Sequence, residues 1–311
     1  MLISFVIPLF NEEESIETLH KKISDEMNKL PHEHEIIFVD DGSTDNSYAE
    51  IKKICDRVPY TKVVKFRRNF GKSIALDEGF KHTRGDIIFT MDADLQDDPK
   101  EIPRFISELE KGYDLVSGWK KKRKDPVFTK NIPSKLFNFM TSLFSGLKLH
   151  DFNCGLKAYR FTLAKQLRLY GDLHRYISAI AHSMGFKVTE IPIEHHPRTY
   201  GASKYGIERF FHGMLDFITI VFLIRFLKKP MHLFGIFGIL FSLSGFAICF
   251  YLTILWFSGE GIGHRPLLFL GILLILAGIQ LFSTGLIAEM ITHSRHYKGK
   301  DDIIEVKVGF S

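Results

Sequence analysis

Residues 87–99 read IIFTMDADLQDDP: an apolar run from Ile87 to Met91, then four carboxylates within seven residues, Asp92, Asp94, Asp97 and Asp98. A short apolar run bounded by polar residues reads as a buried strand. Carboxylates crowded at its end raise each other's pKa unless a cation is held among them. Asp92 and Asp94 occupy alternate positions, and in an extended segment such side chains point the same way. Two hard oxygen donors, with Gln96 as a third, suit Mg2+ or Mn2+, which keep other positions for water and substrate phosphate oxygens. An Asp-x-Asp pair is common in surface loops, so the surrounding chain has to decide.

Upstream, strands and helices alternate. ISFVIPLF (3–10) reads as a strand, and SIETLHKKISDEMNKL (15–30) as a helix with Ile16, Leu19, Ile23, Met27 and Leu30 on one face. EIIFVDD (35–41) is a second strand, followed by a helix over 43–58 with Ser43 or Thr44 as its cap. KVVKF (62–66) is a third strand, residues 72–85 form a helix stopped by Gly85, and DIIFTMD (86–92) is the fourth strand. This alternation implies right-handed crossovers and a mainly parallel, Rossmann-like sheet. Ligands of such sheets collect at the carboxyl ends of the strands. Asn11 and Glu12, Asp40 and Asp41, Arg67 and Arg68, and then Asp92, Asp94 and Gln96 stand there.

Several motifs fail on inspection. Gly71-Lys72-Ser73 lacks the phosphate-loop glycine, since Phe66 stands five residues before Gly71. An EF-hand reading of 92–103 puts Asp97 at the loop glycine and Pro103 at the closing glutamate. No GxGxxG follows the first strand, and His32/His34 and His195/His196 lack the spacing of a zinc protease. Cys55, Cys154 and Cys249 are too scattered for a disulfide framework. The net charge of +5 is modest and gives no reason to expect a nucleic acid partner.

Downstream the composition changes. Leu233–Phe257 is 25 residues without Asp, Glu, Lys or Arg, and Leu267–Ala288 is another 22. Each is long enough to cross about 30 Å of hydrocarbon, and the short link SGEGIGHRP (258–266) makes them a hairpin. Arg225, Lys228 and Lys229 precede it and Arg295, Lys298 and Lys300 follow, against Arg265 alone in the link. The positive-inside rule then puts the soluble domain and both termini in the cytoplasm. Residues 210–226, apolar but broken by His212, Asp216 and Arg225, suit an interfacial helix. The N-terminus lacks the basic and small-residue features of a signal peptide. The domains expected are 1–205, a soluble α/β domain; 206–230, juxtamembrane helices; 231–290, a transmembrane hairpin; and 291–311, a cytoplasmic tail. Gly235, Gly238, Gly245 and Gly278 suit close helix packing, with a homo-oligomer left open.

Five segments in this order, VIPLFNEEES, FVDDGSTD, MDADLQDDP, DFNCGLKAYR and PRTYGASKY, followed by the hairpin, resemble the family 2 glycosyltransferases that load a sugar onto a polyprenyl phosphate. Dolichol-phosphate mannose synthases, bactoprenol glucosyltransferases and undecaprenyl-phosphate aminoarabinose transferases are members. The resemblance implies a GT-A nucleotide-sugar-binding domain in which Pro8, Phe10 and Glu12 line the nucleotide pocket and Val39 and Asp41 hold the base. It makes Asp92, Ala93, Asp94 and Gln96 the metal and diphosphate segment, with Asp92, Asp94 and Gln96 on the metal. Arg198 and Lys204 match the basic pair that closes over the diphosphate and the acceptor phosphate. Lys120 stands where the synthases have arginine, which keeps the charge but loses the bidentate fork. Asp151 aligns with the acidic residue near the acceptor, as a base or an orienting group.

The reaction implied is an inverting displacement: a polyprenyl phosphate oxygen attacks the anomeric carbon as the nucleoside diphosphate leaves. Asp94, Asp151, Arg198 and Lys204 are the expected catalytic residues. UDP-glucose and undecaprenyl phosphate, in a bacterial inner membrane, are the donor, acceptor and location the resemblance favours. The run Lys120–Lys124 is placed to meet the lipid phosphate. A processive polysaccharide synthase is the alternative enzyme, but its QxxRW motif is missing and KQLRLY (165–170) does not replace it. A catalytically silent adaptor has no chemical need for the acidic and basic clusters.

Overall fold

The computed structural model describes residues 1–121, 132–194, 230–259, 261–262 and 265–296. The chain divides into two units, Met1–Ile220 and Val221–Ser311.

The first unit is built on a seven-stranded sheet. β1 (Leu2–Leu9) is central, with β2 (Glu33–Asp40) parallel on one side and β4 (Ile87–Thr90) parallel on the other. β3 (Thr61–Lys65) extends the sheet beyond β2. Past β4 lies β6 (Lys157–Arg160), antiparallel to both β4 and β5 (Leu115–Lys120), and β7 (Val188–Ile193) closes the far edge parallel to β5. The order is β3-β2-β1-β4-β6-β5-β7, so one strand of opposite direction sits inside an otherwise parallel sheet.

Residues 3–9 of β1 are all buried, as expected of a strand covered on both faces. On one face Phe5 stacks on Phe89 with ring centroids 5.3 Å apart, and Phe89 meets Phe105 at 5.9 Å. Each such ring contributes about 1.5–3 kcal/mol by leaving water. α1 (Ile16–Met27) lays Ile16, Leu19, Ile23 and Met27 into this core. α2 (Ser47–Arg57), α3 (Lys72–His82), α4 (Ile102–Glu110), α5 (Ile132–Ser145), α6 (Phe161–Gln166) and α7 (Ile177–Ser183) complete the layers.

Two boundaries differ from the sequence expectation. α2 starts at Ser47, because Ser43 and Thr44 hydrogen-bond to Asn11 instead of capping a helix. α3 stops at His82, where Thr83 Oγ1 donates to Phe80 O at 2.8 Å and Lys165 Nζ donates to the carbonyls of Phe80, Lys81 and Thr83. Gly85 serves close approach: a Cβ there would lie 2.7 Å from Ser4 N. Nearby, the buried carboxylate of Glu35 accepts from Ser4 Oγ at 2.7 Å, Lys62 Nζ at 2.6 Å and Arg84 N at 2.8 Å.

The second unit contains α8 (Pro230–Phe257) and α9 (Pro266–His296). Both are long and apolar enough to cross a membrane, with mean hydropathy of 2.2 and 2.3 in their most apolar windows. Their outward side chains, such as Phe250 and Phe269, are exposed. Glycines form the seam between them. A Cβ on Gly238 would stand 2.9 Å from Gly278 O, one on Gly245 2.6 Å from Gly271 O, and one on Gly278 2.6 Å from Gly238 O. Gly238, Gly245 and Gly278, three of the four glycines singled out in the sequence, thus bring the two helices of one hairpin into backbone contact, as small residues do in membranes. Met231 N, in the first turn of α8, donates to Glu289 Oε2 at 3.2 Å. The interfacial segment expected at 206–230 lies outside the described residues apart from Pro230, and so does the tail beyond 296.

Candidate active site

The loops after β1 and β2 are zipped together. Asn11 adopts φ 56°, a left-handed conformation that Asn tolerates, and its Oδ1 accepts from Thr44 N at 2.9 Å. Asn11 N donates to Ser43 Oγ, Glu12 N to Ser47 Oγ and Asn46 N to Glu13 Oε2, at 2.8–3.0 Å. The short polar side chains of NEEES and DGSTDNS therefore satisfy backbone groups the strands leave unpaired. Pro8, Phe10 and Glu12 form one wall of a cavity of about 360 Å3, which Asp41, Asn69, Gly71, Lys72, Ala75, Asp92, Ala93 and Asp94 complete.

Asp41 reaches across to the next loop: its two oxygens accept from Phe70 N at 2.7 Å and Gly71 N at 2.9 Å. Burial raises its pKa, and the two amides offset only part of that. Gly42, at φ 73°, lets the backbone of Arg68 pass where a Cβ would be 2.6 Å from Arg68 Cα. Val39 is fully buried and outside the cavity lining, with its side chain against α3 at Gly79.

The four carboxylates of residues 92–98 divide into two functions. Asp92 and Asp94 line the cavity, whereas Asp97 is buried and forms an ion pair with Lys120 Nζ at 3.1 Å. Asp98 caps the turn Pro99–Glu101 by accepting from Lys100 N at 3.0 Å. Leu95, between the two groups, takes φ 60°, a conformation bulky residues avoid, and its buried side chain anchors the turn in the core. Gln96 N donates to Asp94 Oδ1 at 3.2 Å, and Gln96 itself is not in the cavity lining. Burial lowers the pKa of Lys120, but Asp97 outweighs it and leaves the ammonium more firmly protonated than usual. Its charge is thus committed to Asp97.

Asp92 is fixed from two sides. It pairs with Lys72 from the first turn of α3. Burial raises its pKa, but the Lys72 ammonium prevails and holds the carboxyl at about 2. Behind it lies Gly155, where a Cβ would stand 2.6 Å from Asp92 Cγ and 2.9 Å from Oδ1. The Gly155 carbonyl in turn accepts from Thr90 Oγ1 at 2.9 Å. Lys157 is buried under the same turn and donates to the carbonyls of Phe152, at 3.2 Å, and Cys154. Burial pushes the pKa of Lys157 down and that of the Cys154 thiol up to about 12, so the thiol stays protonated.

Asp151 opens that turn, is buried, and accepts from Asn153 N at 3.1 Å. It does not line the cavity. Glu190 on β7 holds it by accepting from His150 N at 2.8 Å and Asp151 N at 3.3 Å, and it also pairs with the His150 ring, which stacks on Trp119 at 4.0 Å. Arg198, Lys204 and the run beyond Lys121 lie outside the described residues.

The structure therefore gathers Pro8, Phe10, Glu12, Asp41, Asp92, Ala93 and Asp94 at one cavity, and leaves Val39, Gln96, Lys120 and Asp151 outside its lining. Sequence reasoning gave no individual role to Lys72, Gly155 or Lys157. Lys72 carried a usable signal, its place at the start of the helix after the third strand. Among the described residues no three His, Cys, Asp or Glu side chains converge as a closed metal site. Two carboxylates in an open cavity fit a hard divalent ion that completes its shell with phosphate oxygens and water.

A mostly parallel sheet with an Asp-x-Asp turn at the end of its fourth strand, facing a cavity walled by the first two strand ends, is the GT-A architecture of glycosyltransferases. The Glycosyl transferase family 2 profile matches residues 4–168, and the chain belongs to that family. It is 40% identical to the dodecaprenyl-phosphate galacturonate synthase of Rhizobium johnstonii, over 94% of this chain and 88% of that one. It is 34% identical to the undecaprenyl-phosphate 4-deoxy-4-formamido-L-arabinose transferase of Pseudomonas fluorescens, over 93% and 84%. Glucosyl-3-phosphoglycerate synthase from Mycobacterium tuberculosis, solved with Mn2+ and UDP-glucose, shares the fold at a TM-score of 0.55 and 18% identity, over 72% of this chain and 78% of that one.

Proposed function

We propose that this chain transfers one sugar, with inversion, from a nucleotide sugar to the phosphate of a membrane polyprenol. The observation that carries the reading is Asp92 and Asp94 facing one cavity with Pro8, Phe10 and Glu12, in a chain that also bears two membrane-length helices. A prenyl chain leaves a bilayer only at about 0.8 kcal/mol per CH2, so the pocket has to work at the membrane surface. The hairpin and the basic segment around Lys121–Lys124 serve that placement, with the catalytic unit in the cytoplasm. On this reading residues 1–205 bind the donor, 206–230 couple them to the hairpin, and Arg198 and Lys204 bring further positive charge to the phosphates.

The nucleoside lies along Pro8, Phe10 and Glu12. Asp41 serves it indirectly, by fixing the Phe70–Gly71 backbone that forms the opposite wall. The diphosphate lies at Asp92 and Asp94. A divalent cation held there, Mg2+ or Mn2+, supplies fixed positive charge to the departing diphosphate. Lys72 adds a protein charge at the same place. Removing one such preorganised group commonly costs about 3–4 kcal/mol of transition-state stabilisation. The acceptor phosphate is largely dianionic near neutral pH and needs little proton removal. Asp151, buried and tied into its turn, accordingly orients the acceptor side.

The curated relatives named above are called after galacturonate and 4-deoxy-4-formamido-L-arabinose. That ranks UDP-galacturonate ahead of the UDP-glucose expected from sequence alone. The test is transfer from radiolabelled UDP-galacturonate and UDP-glucose to undecaprenyl phosphate in detergent. Label in the organic phase supports the reading. Nucleotide release without lipid product would leave the donor half standing and remove the acceptor half.

A further inference from the structure

Lys72 and Asp92 line the same cavity and meet there, the ammonium in contact with Asp92 Oδ1. Their side chains are 32% and 31% exposed, so ions in solution can reach both. The Gly155 backbone stands behind the carboxylate: a Cβ there would come nearest Oδ2 and would lie 2.6 Å from Cγ. Asp92 therefore has no room to swing back toward Gly155 and away from the lysine. A divalent ion that takes Asp92 has to arrive from the cavity, on the side where the ammonium already stands.

Two cations drawn to one carboxylate oxygen repel each other, and in a partly buried site salt screens that repulsion only weakly. The ion gains Asp92 as the ammonium leaves it, and the ammonium then needs another anion. Two carboxylates of the same rim are already engaged: Asp41 accepts from the Phe70 and Gly71 amides, and Asp97 pairs with Lys120. A diphosphate in the cavity supplies what is needed. The first turn of α3 lines that cavity through Gly71, Lys72 and Ala75, so the lysine and the positive end of the helix dipole act on the same space. The lysine stem is long and flexible enough to turn its charge from one partner to the other.

We propose that Lys72 controls entry of the metal: its ammonium holds Asp92 against divalent ions and passes to the diphosphate when a nucleotide binds, so that nucleotide and metal are taken up together. This rests on the reading that Asp92 and Asp94 hold a divalent ion with the diphosphate. Such coupling is reciprocal, since UDP must raise the affinity for metal by the same factor by which metal raises the affinity for UDP.

The experiment uses the full chain in detergent, with Lys72→Met and Lys72→Gln to remove the charge, Lys72→Arg to keep it, and Asp94→Ala. Mn2+ binding is read from the loss of the free-ion EPR signal, without nucleotide and with saturating UDP, after correction for Mn2+ held by UDP in solution. In wild type, UDP raises Mn2+ affinity on the order of ten- to a hundredfold. Without nucleotide, Lys72→Met and Lys72→Gln bind Mn2+ on the order of tenfold more tightly than wild type, and the gain from UDP shrinks by a similar factor. Lys72→Arg keeps the wild-type pattern. A lysine with a merely structural role would move the melting temperature and leave Mn2+ affinity unchanged.

Mn2+ affinity within twofold of wild type in the nucleotide-free Met and Gln variants overturns the proposal. An undiminished gain from UDP in those variants does so too, as does a wild type that binds Mn2+ equally well with and without UDP. Mn2+ binding that Asp94→Ala leaves unchanged removes the underlying reading of the metal site, and this inference with it.

Discussion

Gly155→Ala is the substitution that most sharply separates positioning from folding. The added Cβ would stand 2.6 Å from Asp92 Cγ and 2.9 Å from Oδ1, where ordinary contact begins at 3.4 Å. The carboxylate must retreat by roughly 1 Å, and a displacement of that size at a reacting centre costs on the order of 100-fold in rate. It has little room to escape, since Lys72 holds Oδ1 and Thr90 holds the Gly155 carbonyl. The stability cost is that of mild overpacking, about 1–3 kcal/mol. The assay is sugar transfer to undecaprenyl phosphate beside a thermal melt, with Gly261→Ala as a control because nothing lies within 4 Å of that position. The expected result is about 100-fold slower turnover in Gly155→Ala with the fold retained, and no change in Gly261→Ala. Turnover within threefold of wild type in folded Gly155→Ala would refute the claim that this glycine sets the place of Asp92.

Other perturbations address separate parts of the account. Glu190→Ala releases His150 N and Asp151 N, and should lower kcat with the lipid acceptor about tenfold while UDP binding stays unchanged; calorimetry and transfer assays read the two effects. Glu35→Gln addresses pH dependence. Burial raises the Glu35 pKa, but Lys62, Ser4 and the Arg84 amide outweigh it, so the folded value lies below the unfolded one. That carboxylate therefore stabilises above the unfolded value near about 4.3 and loses its contribution as pH falls through the folded one. The variant should be less stable at pH 7, and its deficit should shrink below pH 4, as followed by chemical unfolding of the full chain. Gly278→Leu should part α8 from α9 and lower the melting temperature of the detergent-extracted protein, whereas Phe250→Leu on the exposed side should not.

Much of the fold was legible in the sequence because the first four strands and the helices between them carry their own periodicity. The rim residues followed from the rule that parallel strands deliver ligand groups at their carboxyl ends. β6 was not legible. Its four residues, Lys157–Arg160, show no direction of their own, and the antiparallel insertion is fixed by pairing with β4 and β5. The acidic stretch could be recognised but not apportioned. Only the fold shows that Asp97 is committed to Lys120 and Asp98 to a turn, while Asp92 and Asp94 face the cavity. Lys72 was hidden by a motif that resembles a phosphate loop and is not one; its meaning comes from the carboxylate it meets, twenty residues on. Gly155 gave no sign, since the demand for a missing Cβ exists only once Asp92 is packed against it.

The central claim is that Asp92 and Asp94 hold the diphosphate end of a nucleotide sugar whose sugar passes to a polyprenyl phosphate. Its most direct test is transfer of radiolabel to undecaprenyl phosphate by wild type and Asp94→Ala, each with Mg2+, with Mn2+ and with EDTA. The account predicts labelled lipid from wild type only when metal is present, and none from an Asp94→Ala protein that still inserts in membranes. Lipid labelling at wild-type rate by Asp94→Ala, or by wild type in EDTA, would contradict it.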